Sequence, residues 1–186
     1  MVESKNMQLE RYTEYLERLA NNNSSELFSN GGKEYARALM AVLLRHTRSE
    51  TRLYSHGFKA ELINKDPYWS ALREYLSDEH KRLMVLVETD KYEQEAPMRL
   101  LRETKERRVD KNSIIVKVIR LEDRVRICKK FGDDHCNFGI FDNDKFRYEY
   151  DPEDYRAYGS FNRPDDCMIF TELFDSSFAN SDVQII

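Results

Sequence analysis

One short segment, Arg82 to Glu88, holds five consecutive apolar residues between two charged ones. An apolar run of this length, without polar alternation, is typical of a strand that is buried on both faces of its sheet. The sequence predicts helices before and after this segment, at Pro67–Leu76 and Glu95–Arg107. Further strands are predicted at Glu50–Gly57 and Ser113–Leu121. Strands that alternate with helices pair in parallel through right-handed crossovers. The sequence therefore predicts an α/β fold with a mixed sheet flanked by helices.

The N-terminal part predicts two helices separated by a polar break. Apolar residues fall near helical spacing over Met7–Leu19, and an Asn/Ser run at Asn21–Ser25 ends that pattern. A stronger apolar stripe runs from Lys33 to Thr47. We expect residues 1–32 to form an N-terminal helix and an Asn/Ser/Gly loop that extends the α/β domain.

The last third of the chain has the pattern of antiparallel strands. Cys136–Phe141 predicts one strand, and apolar and charged residues alternate over Lys145–Tyr150, which is the period of a half-buried strand. A helix is expected from Pro164 onward. Residues 176–186 show no periodicity and are expected to form a C-terminal tail. The α/β domain is thus predicted to span residues 33–175.

Composition excludes several classes of protein. The 30 basic and 34 acidic residues give a net charge of −4, whereas dedicated phosphate-backbone binders have a basic excess. Three cysteines, Cys128, Cys136 and Cys167, form no C-x-x-C pair, which argues against a zinc site or a disulfide framework. No Gly-rich phosphate loop and no membrane span are evident. We expect a cytoplasmic protein without metal or cofactor.

Seven residues near the C-terminus follow a distinctive spacing: His135, Asn137, Asp142, Gly159, Ser160, Asn162 and Glu172. This spacing resembles the signature of the phospholipase D superfamily, H-x-K-x-x-x-x-D followed by G-S-x-N and then an acidic residue. The order of strand, turn, returning strand and helix around these residues is similar to that family as well. The resemblance implies a phospholipase D-like fold.

The resemblance also implies roles for individual residues. His135 would be the nucleophile that attacks phosphorus, Ser160 and Asn162 would bind the phosphoryl oxygens, and Glu172 would orient the imidazole of His135. A nucleophilic histidine needs one neutral ring nitrogen held in a fixed tautomer, and a carboxylate often serves this purpose. Fixed donors must meet the charge of the transferred group.

The sequence departs from the family pattern in two places. Asn137 replaces the motif lysine, so a neutral amide stands where an ammonium would hold the phosphoryl group. Lys129, Lys130 or Arg163 are candidates to supply the missing cation. The interval from Asp142 to Gly159 is longer than usual in the family, which leaves room for an extra strand or hairpin.

One motif makes half of a two-histidine site. His46, His56 and His80 lack matching partners, so an active enzyme would need a symmetric dimer with two facing copies of His135. Asp133 and Asp134 precede that histidine and place acidic charge where a phosphate site should be basic. These departures favour a non-catalytic domain.

Three functions follow from these observations. The first is a degenerate, non-catalytic phospholipase D-like domain that acts as an accessory or interaction subunit, through protein contacts or by sensing a phosphorylated ligand. By analogy with compact bacterial chains of this kind, it would belong to a defence or mobile-element system, with the N-terminal helices contacting a protein partner or a second copy. The second is a homodimeric, metal-independent phosphodiesterase or nuclease. The third, weaker alternative is a nucleic-acid-binding module that uses the aromatic residues of Lys145–Phe161.

One further position belongs to none of these functions. Ser55-His56-Gly57 ends the first predicted strand, and α/β sheets often bind ligands at the carboxyl ends of their strands.

Overall fold

The computed structural model describes residues 5–132 and 135–186. These residues form an eight-stranded mixed sheet with helices on both faces. The helices are α1 (Lys5–Asn21), α2 (Lys33–Arg45), α3 (Ala60–Ile63), α4 (Tyr68–Ser77), α5 (Ala96–Arg107), α6 (Leu121–Phe131) and α7 (Pro164–Asn180). The strands are β1 (Phe28–Asn30), β2 (Glu50–Ser55), β3 (Arg82–Val87), β4 (Ile114–Val118), β5 (Asn137–Phe141), β6 (Lys145–Asp151), β7 (Arg156–Ser160) and β8 (Val183–Gln184). The predicted α/β class is confirmed.

The sheet has a parallel centre and antiparallel margins. Its strand order is β1-β7-β6-β5-β2-β3-β4-β8, and β2, β3 and β4 are parallel, as the alternation of strands and helices predicts. On the other side of β2, the strands β5, β6, β7 and β1 pair antiparallel in turn. The chain leaves β2 toward β3 and later returns to its opposite side as β5. The boundary between β2 and β5 is therefore the point where the strand order reverses.

Two apolar cores lie on the two faces of the sheet. On one face, α1, α2, α4 and α5 pack against alternate strand residues that include Leu53, Val85 and Val116. On the other face, the intervening residues Tyr54, Leu86 and others pack against α6 and α7. This division follows from the two-residue period of a strand, which directs successive side chains to opposite faces.

A buried arginine ties α5 to the sheet. Arg108 is 3% exposed and follows the last residue of α5. Its guanidinium donates to the carbonyl oxygens of Leu76, Asp78 and Lys81 and to the hydroxyl of Ser113. These uncharged acceptors compensate part of the loss of water around the guanidinium, whose Nε is buried without a hydrogen-bond partner among the described residues.

The structure corrects the predictions in three regions. The loop predicted before residue 33 contains β1, which pairs with β7, so this segment belongs to the sheet. The segment predicted as a tail from residue 176 continues α7 to Asn180 and then pairs with β4 as β8. The helix α6 was not predicted, although Leu121, Val125, Cys128 and Phe131 follow helical spacing; Ile127 is its only large apolar side chain that is fully buried. Among the described residues, no helix is long and apolar enough to cross a membrane.

Candidate functional site

A cavity of about 430 Å³ opens at one end of the sheet. It lies where β2 and β6 end and β5 begins, and α3 forms part of its wall. In open α/β sheets, ligands bind outside the carboxyl ends of the strands at the point where the strand order reverses. The boundary between β2 and β5 is such a point. The cavity is therefore the best candidate for a functional site.

The motif positions His135 and Asn137 both line this cavity. His135 is exposed, one residue before the buried Cys136. Both polar atoms of the Asn137 amide are hydrogen bonded: Oδ1 accepts from the backbone N–H of His56 at 2.8 Å, and Nδ2 donates to Oε1 of Glu149 at 2.6 Å. The residue that replaces the motif lysine thus joins β2 to β6 across β5.

A buried ion pair stands beside Asn137 in the cavity wall. Glu149 lies opposite Asn137 in the β5–β6 register, and its Oε2 accepts from Nη2 of Arg147. The side chains of Glu149 and Arg147 are 4% and 7% exposed. The Nε of Arg147 is buried and has no hydrogen-bond partner among the described residues. A buried donor of this kind is costly unless a water or a ligand accepts from it.

A second cluster surrounds Glu88, which follows the last residue of β3. The hydroxyl of Tyr54 donates to Glu88 Oε1 at 2.6 Å, while Oε2 lies 3.0 Å from Nδ1 of His56 and 2.9 Å from Nε of Arg124. Burial raises the pKa of Glu88, but the bonds from Tyr54 and His56 and the charge of Arg124 outweigh it and lower the pKa. Burial raises the pKa of Tyr54, and its hydrogen bond to the Glu88 carboxylate raises it further. Glu88 is therefore held ionised at the carboxyl end of β3.

The mouth of the cavity is formed by α3 and the β6–β7 loop. Glu61 accepts a hydrogen bond from Lys33 and another, at 3.1 Å, from the hydroxyl of Tyr155. Tyr155 has a φ of 55°, in the left-handed region that a tyrosine rarely adopts, and its carbonyl accepts from the side chain of Asn30 at 2.6 Å. Backbone conformations of this type persist only where surrounding contacts hold them. The loop is thus tied to α3 on one side and to β1 on the other.

The motif residue Asp142 lies at the far end of β5, where it has a structural role. Its carboxylate accepts from the backbone N–H groups of Arg48, Ser49 and Glu50 and from the Ser49 hydroxyl. Burial raises the pKa of Asp142, but these hydrogen bonds outweigh it and lower the pKa to about 2. The ionised carboxylate therefore fixes the loop that leads into β2.

The structure does not bring Ser160 and Asn162 to His135. In the sheet, Ser160 of β7 pairs with Phe146 of β6, and Phe146 pairs with Ile140 of β5. Ser160 therefore lies level with Ile140, which is five residues beyond His135. At the rise of a strand, this separation is about 16 Å. Ser160 donates to Ser24 O at 3.3 Å and Asn162 to Asn23 O at 3.2 Å, so both anchor the loop after α1.

The glycine of the Gly-Ser pair also has a structural explanation. A Cβ atom on Gly159 would lie 2.1 Å from the carbonyl oxygen of Phe146 and 2.8 Å from the ring of Phe28. Only glycine fits between these two neighbours. Close packing between strands accounts for Gly159 without any phosphate contact.

Glu172 and the candidate cations lie away from the cavity as well. Glu172 is exposed on α7, in a shallow surface groove with Arg126 and Lys130 from α6. Arg163 pairs with Asp166 at the start of α7, at 3.0 Å. Lys129 does not line the cavity either. Among the described residues, the lysine and arginine side chains that line the cavity are Lys59 and Arg147. Asp133 and Asp134 lie outside the described residues.

Two pairs in the cavity wall, His56 with Glu88 and Arg147 with Glu149, were not predicted from the sequence. The first joins residues that follow different strands, and the second matches no known sequence motif. The position of His56 after the first strand was the one available signal. The described residues include no group of three His, Cys, Asp or Glu side chains placed to hold a metal ion.

Comparisons with known proteins identify similar folds without close relatives. No protein-family model matches the chain, and no curated protein matches it. Among solved structures, Nuc from Salmonella typhimurium, a phospholipase D family member, has 12% identity and a TM-score of 0.57 over 85% of this chain and 98% of its own.

Two larger proteins share the fold over part of their length. TrmBL2, an archaeal chromatin protein with a novel mode of DNA binding, has 11% identity and a TM-score of 0.56 over 95% of this chain. Phosphatidylserine synthase from Haemophilus influenzae Rd KW20 has 11% identity and a TM-score of 0.51 over 86% of this chain. The match spans 62% of TrmBL2 and 38% of the synthase.

Proposed function

Because the chain has the phospholipase D-like fold, we propose that it is a non-catalytic domain of that fold, acting as an accessory or interaction subunit of the type found in bacterial defence and mobile-element systems. One observation carries the proposal. The amide of Asn137, at the position of the motif lysine, is hydrogen bonded to the buried carboxylate of Glu149. The part of the site that would hold a phosphoryl group therefore contains a fixed negative charge.

The electrostatic consequence of Glu149 is large. Two negative charges about 4 Å apart repel each other by about 4 kcal/mol at an effective dielectric constant near 20. Arg147 offsets part of this charge, but its Nη2 is already bonded to Glu149. Phosphoryl transfer depends on fixed cations and donors that stabilise the developing negative charge. The surroundings of Asn137 oppose that requirement.

The placement of the other motif residues supports the same proposal. Ser160 and Asn162 bond the loop after α1, and Glu172 is exposed on α7, so none of them lines the cavity with His135. One carboxylate of the cavity, that of Glu88, lies 3.0 Å from the ring of His56. A dimer that paired two copies of His135 would still carry Glu149 beside each one.

Hydrolysis of bis(p-nitrophenyl) phosphate in EDTA tests the absence of catalysis. We expect no turnover above the uncatalysed rate from the wild type, from His135→Ala, or from the control His80→Ala, in which an exposed histidine outside the cavity is replaced. DNA, RNA and phospholipid substrates should give the same result. EDTA-resistant turnover that is lost in His135→Ala and kept in His80→Ala would instead support the homodimeric phosphodiesterase.

We infer that any association uses the outer surface of α1. The apolar face of this helix is occupied within the chain, because Leu16 and Leu19 are buried in the core and Tyr12 packs edge-on against Tyr35 of α2. A protein partner or a second copy would therefore contact the polar side of α1. Sedimentation of the wild type and of Glu10→Lys, on an exposed position of α1, tests this: the substitution should weaken association, and unchanged association would contradict it.

The DNA-binding alternative makes a different prediction. A nucleic-acid module would bind DNA or RNA with a steep dependence on salt concentration. Because the chain has a net charge of −4 and carboxylates line the cavity, we expect only weak binding of nucleic acid, without a steep dependence on salt concentration.

A further inference from the structure

The carboxylates and the amide in the buried wall of the cavity are paired with neighbouring groups. Both polar atoms of the Asn137 amide are bonded, and each oxygen of Glu149 accepts one hydrogen bond. Each oxygen of Glu88 also has a partner. The exception is the Nε of Arg147, which is buried and unpaired among the described residues. Arg147 lines the cavity, so this Nε is a buried donor available at the wall.

Charged ligands are poorly matched to this wall. A phosphate or carboxylate would meet the charges of Glu88 and Glu149, and each of these already engages its neighbouring cation. A cation would have to compete with Arg124 and Arg147 for these two buried carboxylates. Burying a charge without a compensating partner is strongly unfavourable. An uncharged group that accepts a hydrogen bond meets neither obstacle.

The rest of the buried wall is largely apolar, and the other charged side chains that line the cavity, Lys59, Glu61 and Glu153, are partly or fully exposed. On the helical side of the cavity lie Met40, Leu53, Phe58, Leu62, Ile63 and Tyr68. The volume of about 430 Å³ falls in the range of small-molecule sites, which typically combine apolar walls with a few fixed polar groups. Contact with these side chains would supply most of the affinity of a small ligand.

We propose that the cavity binds an uncharged, partly apolar small molecule through a carbonyl or hydroxyl oxygen that accepts a hydrogen bond from the Nε of Arg147. This inference rests on the proposed non-catalytic function, and it replaces a phosphorylated ligand with a neutral one. The loop that carries Tyr155 forms one side of the entrance, next to α3.

Three probes with the same phenyl body and different polar heads test the proposal. They are 4-phenylbutan-2-one, which is neutral, 3-phenylpropanoate, which is anionic, and 3-phenylpropylamine, which is cationic. Titration followed by the methyl NMR signals of Met40 and Ile63 should give a Kd of about 1 mM for the ketone. Binding of the anion and of the cation should be at least about tenfold weaker.

Two variants locate the binding site. Leu62→Trp places a larger side chain in the cavity wall and should weaken ketone binding at least about tenfold, whereas Leu100→Trp, at a half-buried core position outside the cavity, should leave it unchanged. Arg147→Lys keeps a cation for Glu149 but removes the Nε donor, and should weaken ketone binding about fivefold. Its binding of n-butylbenzene, which has no acceptor, should be unchanged.

Several results would overturn the proposal. They are absence of saturable ketone binding, tighter binding of the anion or the cation, or equal ketone affinity in wild type and Leu62→Trp. Equal loss of ketone and n-butylbenzene binding in Arg147→Lys would contradict the role of Nε. None of these outcomes depends on hydrolysis. Phosphodiester turnover would overturn the proposed function by itself, and the titrations would still report the ligand class.

Discussion

The buried carboxylate of Asp142 provides a quantitative test of the structure. We expect Asp142→Asn to lower the free energy of unfolding by about 2 kcal/mol at pH 7. The reason is that hydrogen bonds from Arg48, Ser49 and Glu50 lower the pKa of Asp142 from 3.8 to about 2 despite its burial. Asparagine keeps one acceptor oxygen, but its NH₂ group cannot accept from these N–H groups.

The pH dependence of this effect follows from the direction of the shift. A carboxyl group with a lowered pKa in the folded state stabilises that state fully above its unfolded pKa of 3.8. The stabilisation falls as the pH decreases and disappears below the folded pKa of about 2. The difference between wild type and Asp142→Asn should therefore be constant from pH 7 to pH 5 and about half as large at pH 3.

Urea unfolding at a series of pH values measures the difference directly. The control is Asp182→Asn, which removes an exposed carboxylate paired with Arg120 and should change stability by less than about 0.5 kcal/mol. A difference below about 0.5 kcal/mol for Asp142→Asn at pH 7 would refute the reasoning. So would a difference that stays constant down to pH 3.

Three other substitutions test the packing and the cavity. Gly159→Ala should destabilise the protein by about 1–3 kcal/mol in urea unfolding, because the new Cβ would overlap a backbone oxygen. In the control Gly31→Ala, the atom nearest to the new Cβ is 3.8 Å away, so stability should change by less than about 0.5 kcal/mol. Arg108→Ala should lower the free energy of unfolding by about 3 kcal/mol, because several buried acceptors lose their donor. The control Arg107→Ala removes an exposed arginine and should leave stability nearly unchanged. Similar losses of stability in the two variants would contradict the role of the buried hydrogen bonds. Asn137→Lys, which restores the motif lysine, should still give no phosphodiester hydrolysis, since its ammonium would pair with the neighbouring buried carboxylate; measurable EDTA-resistant turnover would contradict this explanation.

The central strands were predictable because their burial leaves a direct trace in the sequence. The apolar run of β3 is buried at each of its last five positions, and the alternation in β6 separates Lys145 and Arg147 from Phe146 and Tyr148 on opposite faces. The charged side of β6 was less predictable. Its residues are buried as well, because Lys145 pairs with Asp144 and Arg147 with Glu149. Pattern alone does not distinguish such pairs from a solvated face.

The candidate site was predictable only where its residues are close in sequence. His135 and Asn137 belong to one strand end and both reach the cavity. The long interval between Asp142 and Gly159 holds two strands, β6 and β7, and the extra reversal of the chain carries Ser160 to the other end of the sheet. The spacing of the motif is therefore similar to the family pattern while its geometry differs.

The two margins of the sheet have a consequence for how copies of this chain can meet. The outermost strands are β1, with three residues, and β8, with two. Strands this short expose few unpaired backbone groups, and short margins are one means by which proteins resist fibril-like growth by strand addition. The longer strands in the middle of the sheet are therefore not available to pair with a strand of another molecule. Any contact between copies would then depend on side chains rather than on added strands, and single substitutions could strengthen or abolish it.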